Sequence, residues 1–178
     1  MDAGRAVHCR SRVGRLSERE FLVAGAALYA GEGAKTDGWV KLANSDPAMV
    51  RCFCAWLRHF FDVDETRLRA VIYLHMALDL EAAVSFWSEV TGIPPGQFNK
   101  PYRAVADPSI RTTNKHDHGC VYVVCSRSST HRAVMGLVRA LLASSVLSGV
   151  AQLAEQAAVN RKVVGSSPTP GAVTFRGP

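Results

Sequence analysis

The sequence predicts an α/β (α+β) fold in which four mainly antiparallel strands carry helices on one face. The clearest evidence is the segment Arg67–Met76, where apolar residues alternate with a second set: Arg67, Arg69, Val71, Tyr73 and His75. A strand buried on both faces would not carry two arginines and a histidine on one side, so this strand should have one open face. Segments with apolar residues at helical spacing flank it. The predicted order is αβ(β)αβαβα, with a very short first strand between Ala34 and Asp37.

The first helix begins with a complete capping signal. Ser17 can cap the first turn, while Glu20, three residues on, can bond back to the cap. Leu16 and Phe21 occupy the two positions of a hydrophobic staple. Gly33 is placed to close the helix in a left-handed conformation, which a Cβ would penalise.

One side of this helix favours close packing against another helix. The chain carries no charge from residue 21 to residue 31, and small residues recur there at Ala24, Gly25, Ala27 and Gly31. Their spacing gives the helix a side where another backbone could approach closely.

Glu32 is unusual in this helix. It stands in the last turn, where the negative end of the helix dipole disfavours a carboxylate. A cation should therefore compensate it. Lys35, plain solvent and a divalent metal ion are the alternatives, and the sequence leaves them open.

Residues 27–33 read ALYAGEG, and Lys35, a short strand and the run Asn44-Ser45-Asp46-Pro47 follow. This order resembles the LAGLIDADG fold of homing endonucleases, in particular its divergent bacterial branch, and the resemblance covers roughly residues 16–142. It implies an αββαββα-type half-saddle whose open sheet face lies in the major groove of double-stranded DNA.

In that family two such helices cross at their small residues, and the acid beside the final glycine holds the catalytic metal. The resemblance therefore implies that Glu32 is the catalytic and metal-binding residue, with Mg²⁺ as the possible cofactor. It also implies a homodimer whose interface includes four positions: Ala24, Gly25, Leu28 and Gly31. The implied function is DNA binding, with Mg²⁺-dependent endonuclease (hydrolase) activity. The alternative is a non-cleaving DNA-binding regulator or a protein-interaction module on the same fold.

The resemblance also makes basic and aromatic side chains candidates for DNA contact. They come from the predicted open face and from the basic segment 98–118: Lys41, Arg67, Arg69, Tyr73, His75, Lys100 and Arg103. Such residues also occur on sheets that simply face solvent, so the sequence alone leaves that reading open.

The charge of the 178-residue chain is unevenly distributed around a formal net charge of +6. Residues 21–97 hold six Lys/Arg against nine Asp/Glu, whereas residues 98–132 hold six against two. A basic arm and a basic loop region on a near-neutral core fit a polyanionic partner. A solvated basic surface is the alternative, and charge alone does not decide between them.

The remaining elements follow from local signals. A strand is predicted from Trp39 to Ala43, and Asp46 then caps a helix with Pro47 at its first position. Asp79 caps a third helix that Gly92 ends. Residues 98–118 are predicted as a long loop, which is followed by a strand over residues 121–125 and a last helix from Ser128 or Ser129.

The five cysteines and the absence of a secretory signal indicate a reduced, cytoplasmic location. A zinc site at His116, Asp117, His118 and Cys120 is disfavoured, because a second pair of ligands is missing. No apolar run reaches membrane-spanning length without a break.

The two ends of the chain are set apart from the domain. Residues 1–15 are predicted to be a flexible basic arm. Relatives of the resembled family often carry a helix-turn-helix there, so either that domain is absent or the start codon is misplaced. Residues 143–178 are predicted to be a spurious or disordered tail, because residues 149–156 and 163–169 resemble the translation of a transfer RNA gene. An amphipathic helix with a Pro/Gly/Ser-rich tail is the alternative.

Overall fold

The computed structural model describes residues 8–9, 11–35, 38–105 and 116–143. The predictions for residues 1–7 and 144–178 lie outside these residues. Contacts divide the chain into two units, Met1–Leu141 and Leu142–Pro178, and the first contains the sheet. Its main elements are α1 (Glu18–Glu32), β1 (Val40–Asn44), α2 (Pro47–Phe60), β2 (Leu68–His75), α3 (Leu80–Thr91), β3 (Tyr102–Ala104), β4 (Cys120–Cys125) and α4 (residues 128–143).

The strands form one sheet in the order β1-β4-β2-β3, with two antiparallel pairings and one parallel pairing. The central strand β4 pairs Val124 with both Lys41 and Arg69, and Tyr122 with both Ala43 and Val71. Tyr73 and Tyr102 are directly paired at the other edge. The predicted α+β class with a four-stranded, mainly antiparallel sheet is confirmed.

The helices begin where their capping residues predict. Ser17 and Glu20 form the complete capping box of α1, and the carboxylates of Asp46 and Asp79 accept backbone N–H bonds at the starts of α2 and α3. Inward residues of β1, β2 and β4 join the apolar stripes of the helices in a single core. The helices thus cover one side of the sheet, and no helix or strand in the described part of the chain covers the other side.

The structure corrects the predicted end of the first helix. Gly33 has φ −76° and ψ 149°, which is extended backbone and not the left-handed conformation. Glycine is needed there because a Cβ would overlap the ring of Tyr29, which is fully buried and stacks on Phe53. Gly33 then bridges to Leu42 in the neighbouring strand.

The strand assignments also need correction. Within the long predicted loop, residues 102–104 form β3, whereas part of the short strand predicted near Ala34 lies outside the described residues. Strand β2 ends at His75, and Met76 is 56% exposed instead of facing the core.

Residues 8–9 and 11–13, predicted as part of a flexible arm, are helical. No helix among the described segments combines the length and apolarity that a bilayer crossing requires.

Candidate nucleic-acid interface

The uncovered side of the sheet forms a concavity of about 580 Å³, which we call the open face. Side chains from all four strands and from the loops beside them line it: Trp39, Lys41, Arg69, Val71, Tyr73, Asn99, Tyr102, Tyr122, Val124 and Ser126. Seven of them are outward residues of strands, and in β1, β2 and β4 the alternate residues are buried in the core. The two-residue period of a strand therefore positions most of this surface, whereas Trp39, Asn99 and Ser126 lie in the segments beside the strands.

Two cations flank a valine across the middle of the open face. The pairing of Val124 with Lys41 on one side and Arg69 on the other places the two backbones about 10 Å apart. The ammonium of Lys41 lies 4.1 Å from the ring centroid of Trp39, a cation–π contact. The Nη1 of Arg69 donates to the Leu68 carbonyl at 2.8 Å and to that of Thr66.

Four aromatic side chains stand on the same surface with much of their area exposed. The exposed fractions are 51% for Trp39, 39% for Tyr73, 60% for Tyr102 and 42% for Tyr122. The rings of Tyr73 and Tyr102 stack on each other, with centroids 4.8 Å apart and planes within 12°. Exposed aromatic area of this extent marks a binding surface more often than a solvated one.

The charge of the open face has one sign. Among the described residues that line it there are two cations and no carboxylate. A neutral or positive ligand would therefore leave Lys41 and Arg69 uncompensated. An anionic ligand with flat apolar parts matches both features of the surface.

Four of the predicted DNA contacts lie away from this lining. Arg67 belongs to a 3-10 turn before β2, and its exposed guanidinium pairs with Asp64 at 3.2 Å. Lys100 is exposed before β3, and His75 is half-buried at the end of β2. Strand alternation should have placed Arg67 beside Arg69, but the 3-10 turn interrupts the alternation.

Arg103 has a different position from the one predicted. It pairs with the inward residue Leu74 in the parallel ladder, and its Nη2 donates to the carbonyls of Met76 and Leu78 at 2.7 and 3.1 Å. Its Nη1 is buried without a hydrogen-bond partner in the described part of the chain. The guanidinium therefore fastens the loop after β2 and does not line the open face.

Glu32 is exposed at the end of α1, and its Oε2 lies 3.5 Å from the Nδ2 of Asn44 at the end of β1. Lys35 does not compensate it: the ammonium of Lys35 donates to the carbonyls of Tyr29 and Gly33 and so satisfies the end of the helix. Within the described ranges, no salt bridge involves Glu32. Of the alternatives in the sequence, solvent and a metal ion remain.

The four predicted dimer positions do not share one environment. Ala24 and Gly31 are exposed, Leu28 is half-buried, and Gly25 is buried. A Cβ on Gly25 would overlap the indole of Trp56, which is fully buried and donates from Nε1 to the carbonyl of Leu22 at 3.1 Å. The close approach at Gly25 is therefore made by a helix of the same chain, which corrects its assignment to a subunit interface.

The two histidines that precede β4, His116 and His118, contact other side chains of the domain. Ser45 and His116 are 3.3 Å apart, and the ring of His118 stacks on Phe86 with centroids 4.0 Å apart. No group of three or more His, Cys, Asp or Glu side chains among the described residues is arranged to hold a metal ion.

The sequence reasoning missed Tyr102, Tyr122, Asn99 and Ser126 as members of the open face. The signal for Tyr122 was available, because it alternates with Val121 and Val123 as Tyr73 alternates with its neighbours. The signal for Tyr102 was absent, since β3 is only three residues long and pairs with β2 in parallel.

Comparison with known proteins adds no relative. No protein-family model matches the chain, and the search of curated proteins finds no match either. The LAGLIDADG resemblance therefore stays a prediction from the residues, and the functional argument depends on the geometry of the open face.

Proposed function

We propose that this chain is a DNA-binding protein of LAGLIDADG-like type that contacts nucleic acid through the open face of its sheet. The observation that carries the proposal is the lining of that face, which combines Lys41, Arg69 and four exposed aromatic side chains without a carboxylate among its described residues. Phosphates need cations, and the major groove of a duplex offers apolar contact at the thymine methyl groups. In this proposal the protein works in the cytoplasm, and its partner is double-stranded DNA.

The test measures DNA affinity as a function of salt. Wild type, Lys41→Ala, Arg69→Ala and the double variant are titrated against a labelled duplex between about 50 and 200 mM salt. Each cation that contacts a phosphate should add about one to the salt slope, so the double variant should lose about two. Arg51→Ala with Arg132→Ala is the matched control, because both arginines are exposed and lie outside the open face.

Each outcome has a clear meaning. Weaker binding with a reduced slope in the open-face variants, and unchanged binding in the control, supports the proposal. If both double variants lose affinity equally, the attraction comes from overall charge and the open face is not the site. Duplex binding that is absent from the wild type would favour the alternative function, a protein-interaction module.

We also propose that the chain acts as a homodimer through the exposed side of α1. Val23, Ala24, Ala27 and Gly31 are exposed there although that stretch of the helix carries no charge, which is unusual for a helix surface in water. Ala27→Arg should separate the copies without touching the core. Sedimentation at several protein concentrations tests this, and an equal mass for wild type and variant would exclude this side of α1.

A second candidate function is metal-dependent cleavage of DNA. The observation that favours it is Glu32, an exposed carboxylate at the negative end of a helix with no ion-pair partner in the described residues. It is bonded to Asn44, three residues beyond Lys41 on the edge strand β1, or about 10 Å along the strand. Asn44 pairs with the inward residue Val121, so this carboxylate lies at the edge of the sheet on the side of the helices and not beside Lys41 on the open face.

The residues fit Mg²⁺ in part. This ion is commonly held by one or two carboxylates together with waters, and each chain offers Glu32. In a homodimer, Glu32 of a second copy would supply the second carboxylate. When bound, such a metal would neutralise phosphate charge and activate the attacking water. Among the described residues, no group of three or more His, Cys, Asp or Glu side chains is arranged to hold a metal ion.

Nicking of supercoiled plasmid with Mg²⁺ or Mn²⁺ tests this candidate. Glu32→Gln should abolish nicking while its DNA affinity stays at the wild-type level. Glu89→Gln is the control, because Glu89 is an exposed carboxylate on α3. If wild type binds DNA and no divalent metal yields nicks, Glu32 is not catalytic and the chain is a non-cleaving DNA-binding protein.

A further inference from the structure

The aromatic residues of the open face point to a more specific ligand than duplex DNA. We propose that this face binds unpaired nucleotides, with bases stacked on Trp39, Tyr122, Tyr73 and Tyr102 and phosphates held by Lys41 and Arg69, so that single-stranded DNA binds more tightly than duplex DNA. This inference rests on the proposed function and specifies the form of nucleic acid that the same surface prefers.

The first argument is the exposure of the rings. A tyrosine or tryptophan on a sheet normally hides its face against cross-strand neighbours, yet these four side chains keep between 39% and 60% of their area in solvent. Tyr122 lies between Ala43 and Val71, which are too small or too short to cover it. Tyr73 and Tyr102 stack on each other, so each ring has a second face that its partner does not cover.

The second argument concerns what each form of DNA can offer to such rings. In a duplex the faces of the bases are covered by neighbouring base pairs, and only their edges are reachable in the grooves. Edge recognition uses side chains such as Arg, Asn and Gln, and the open face offers Arg69 and Asn99 for it but twice as many aromatic rings. Unpaired bases expose their faces and stack on aromatic side chains of a sheet.

The third argument is the arrangement of cations among the rings. The ammonium of Lys41 lies over one face of the Trp39 ring, 4.1 Å from its centroid, so a base stacked on the other face would have its phosphate near the cation. Strand spacing places the row of Lys41 and Arg69 about 14 Å along the sheet from the pair Tyr73 and Tyr102. Lys41 and Tyr102, on opposite edges, are on the order of 20 Å apart, a span that suits several nucleotides.

The experiment measures the affinity of the full-length protein for three probes of about eight nucleotides. The probes are oligothymidylate, an abasic oligomer with the same phosphates, and a duplex of the same length. The abasic oligomer keeps the charge and removes the bases. Oligothymidylate should bind at least about tenfold more tightly than the abasic oligomer, and more tightly than the duplex. Equal affinity for oligothymidylate and the abasic oligomer would overturn the inference, because stacking would then contribute nothing.

Substitutions separate stacking from charge. Tyr102→Leu should weaken oligothymidylate binding by roughly 5- to 150-fold and leave abasic binding unchanged, while Tyr102→Phe keeps the ring and should bind as wild type does. Tyr102 is the most exposed of the four rings, so these changes spare the core. Equal loss in Tyr102→Leu and Tyr102→Phe would indicate that the hydroxyl is the contact and would contradict stacking.

Fluorescence gives a second readout that does not depend on affinity. Trp56 and Trp87 are buried, whereas Trp39 is exposed, so quenching by a bound base should come from Trp39. Oligothymidylate should quench wild type, and Trp39→Phe should remove that change. No quenching at saturation would remove Trp39 from the site.

The outcomes also separate this inference from the proposed function. If duplex binds as proposed and oligothymidylate binds no more tightly, the inference fails alone. If none of the three probes binds, both fail.

Discussion

The packing at Gly25 predicts opposite effects for two glycine substitutions in the same helix. A Cβ at Gly25 would lie within 3.0 Å of the indole of Trp56, whereas a Cβ at Gly31 would meet nothing within 4 Å. Alanine in a helix gains roughly 0.5–1 kcal/mol over glycine. At protein concentrations where the chain is monomeric, Gly31→Ala should therefore raise the free energy of unfolding by about that amount, while Gly25→Ala must also move a buried indole.

The magnitude for Gly25→Ala follows from the contacts of Trp56. Forcing an extra methyl into a packed core costs about 1–3 kcal/mol. Displacing the indole would also weaken its hydrogen bond to the Leu22 carbonyl, and an unsatisfied buried donor costs about 1–3 kcal/mol. Set against the helix gain, the free energy of unfolding should fall by about 1–5 kcal/mol. A chain of this size should then lose about 2–4 °C in Tm for each kcal/mol.

Urea unfolding followed by far-UV circular dichroism measures both variants, and each is repeated at two protein concentrations. If Gly25→Ala is as stable as Gly31→Ala, the indole does not occupy the space beside Gly25 and the packing argument fails. A loss that appears only at the higher protein concentration would return Gly25 to a subunit interface. The expected loss is independent of concentration, because Trp56 belongs to the same chain.

Two further predictions concern stability. Arg58 joins three elements, since it bonds to both carboxylate oxygens of Glu65 and to the Thr91 carbonyl at 2.6 Å. Arg58→Ala should therefore lower the free energy of unfolding by about 1–3 kcal/mol, as measured by urea unfolding. Arg67→Ala removes only an exposed ion pair and should lower it by less than about 1 kcal/mol. Equal costs would contradict this ranking. Burial raises the pKa of the Cys54 thiol from 9.0 to about 11. The stabilisation that comes from burying the neutral thiol is therefore complete below pH 9 and is lost as pH rises towards 11. The free energy of unfolding should fall by roughly 2–3 kcal/mol over that interval, and Cys54→Ala should lack this part of the decline; an identical pH profile would contradict it.

Much of the fold was predictable because its signals are local. A capping box, an aspartate followed by proline, and the alternation in β2 each act within a few residues, and the helices and strands they predict are present. The left-handed end at Gly33 was wrong because a second reason for glycine, the ring of Tyr29 beside it, arises from the way the chain folds back.

The site was predictable only in part, because its members are set by long-range pairing. Lys41, Arg69 and Tyr73 follow from alternation within their own strands, and they line the open face. Tyr102 joins them through a parallel pairing that three residues cannot reveal. Arginine is a common DNA-contacting residue, but the pairing of Arg103 with Leu74 directs its guanidinium towards the backbone carbonyls after β2.

Glu32 is the position where helix stability and the proposed catalytic role should diverge. Its carboxylate stands at the negative end of α1, Lys35 is bonded to backbone carbonyls, and the contact with Asn44 is 3.5 Å long, which is weak. Glu32→Gln should therefore raise the free energy of unfolding slightly at low ionic strength, and the gain should shrink as salt screens the helix dipole. Urea unfolding at two salt concentrations measures this. If Glu32→Gln is less stable than wild type at low salt, the carboxylate has a structural partner and the argument that it is held for a metal loses its basis. A more stable variant that still binds DNA but no longer nicks it would show a residue kept at a cost to stability for its chemistry.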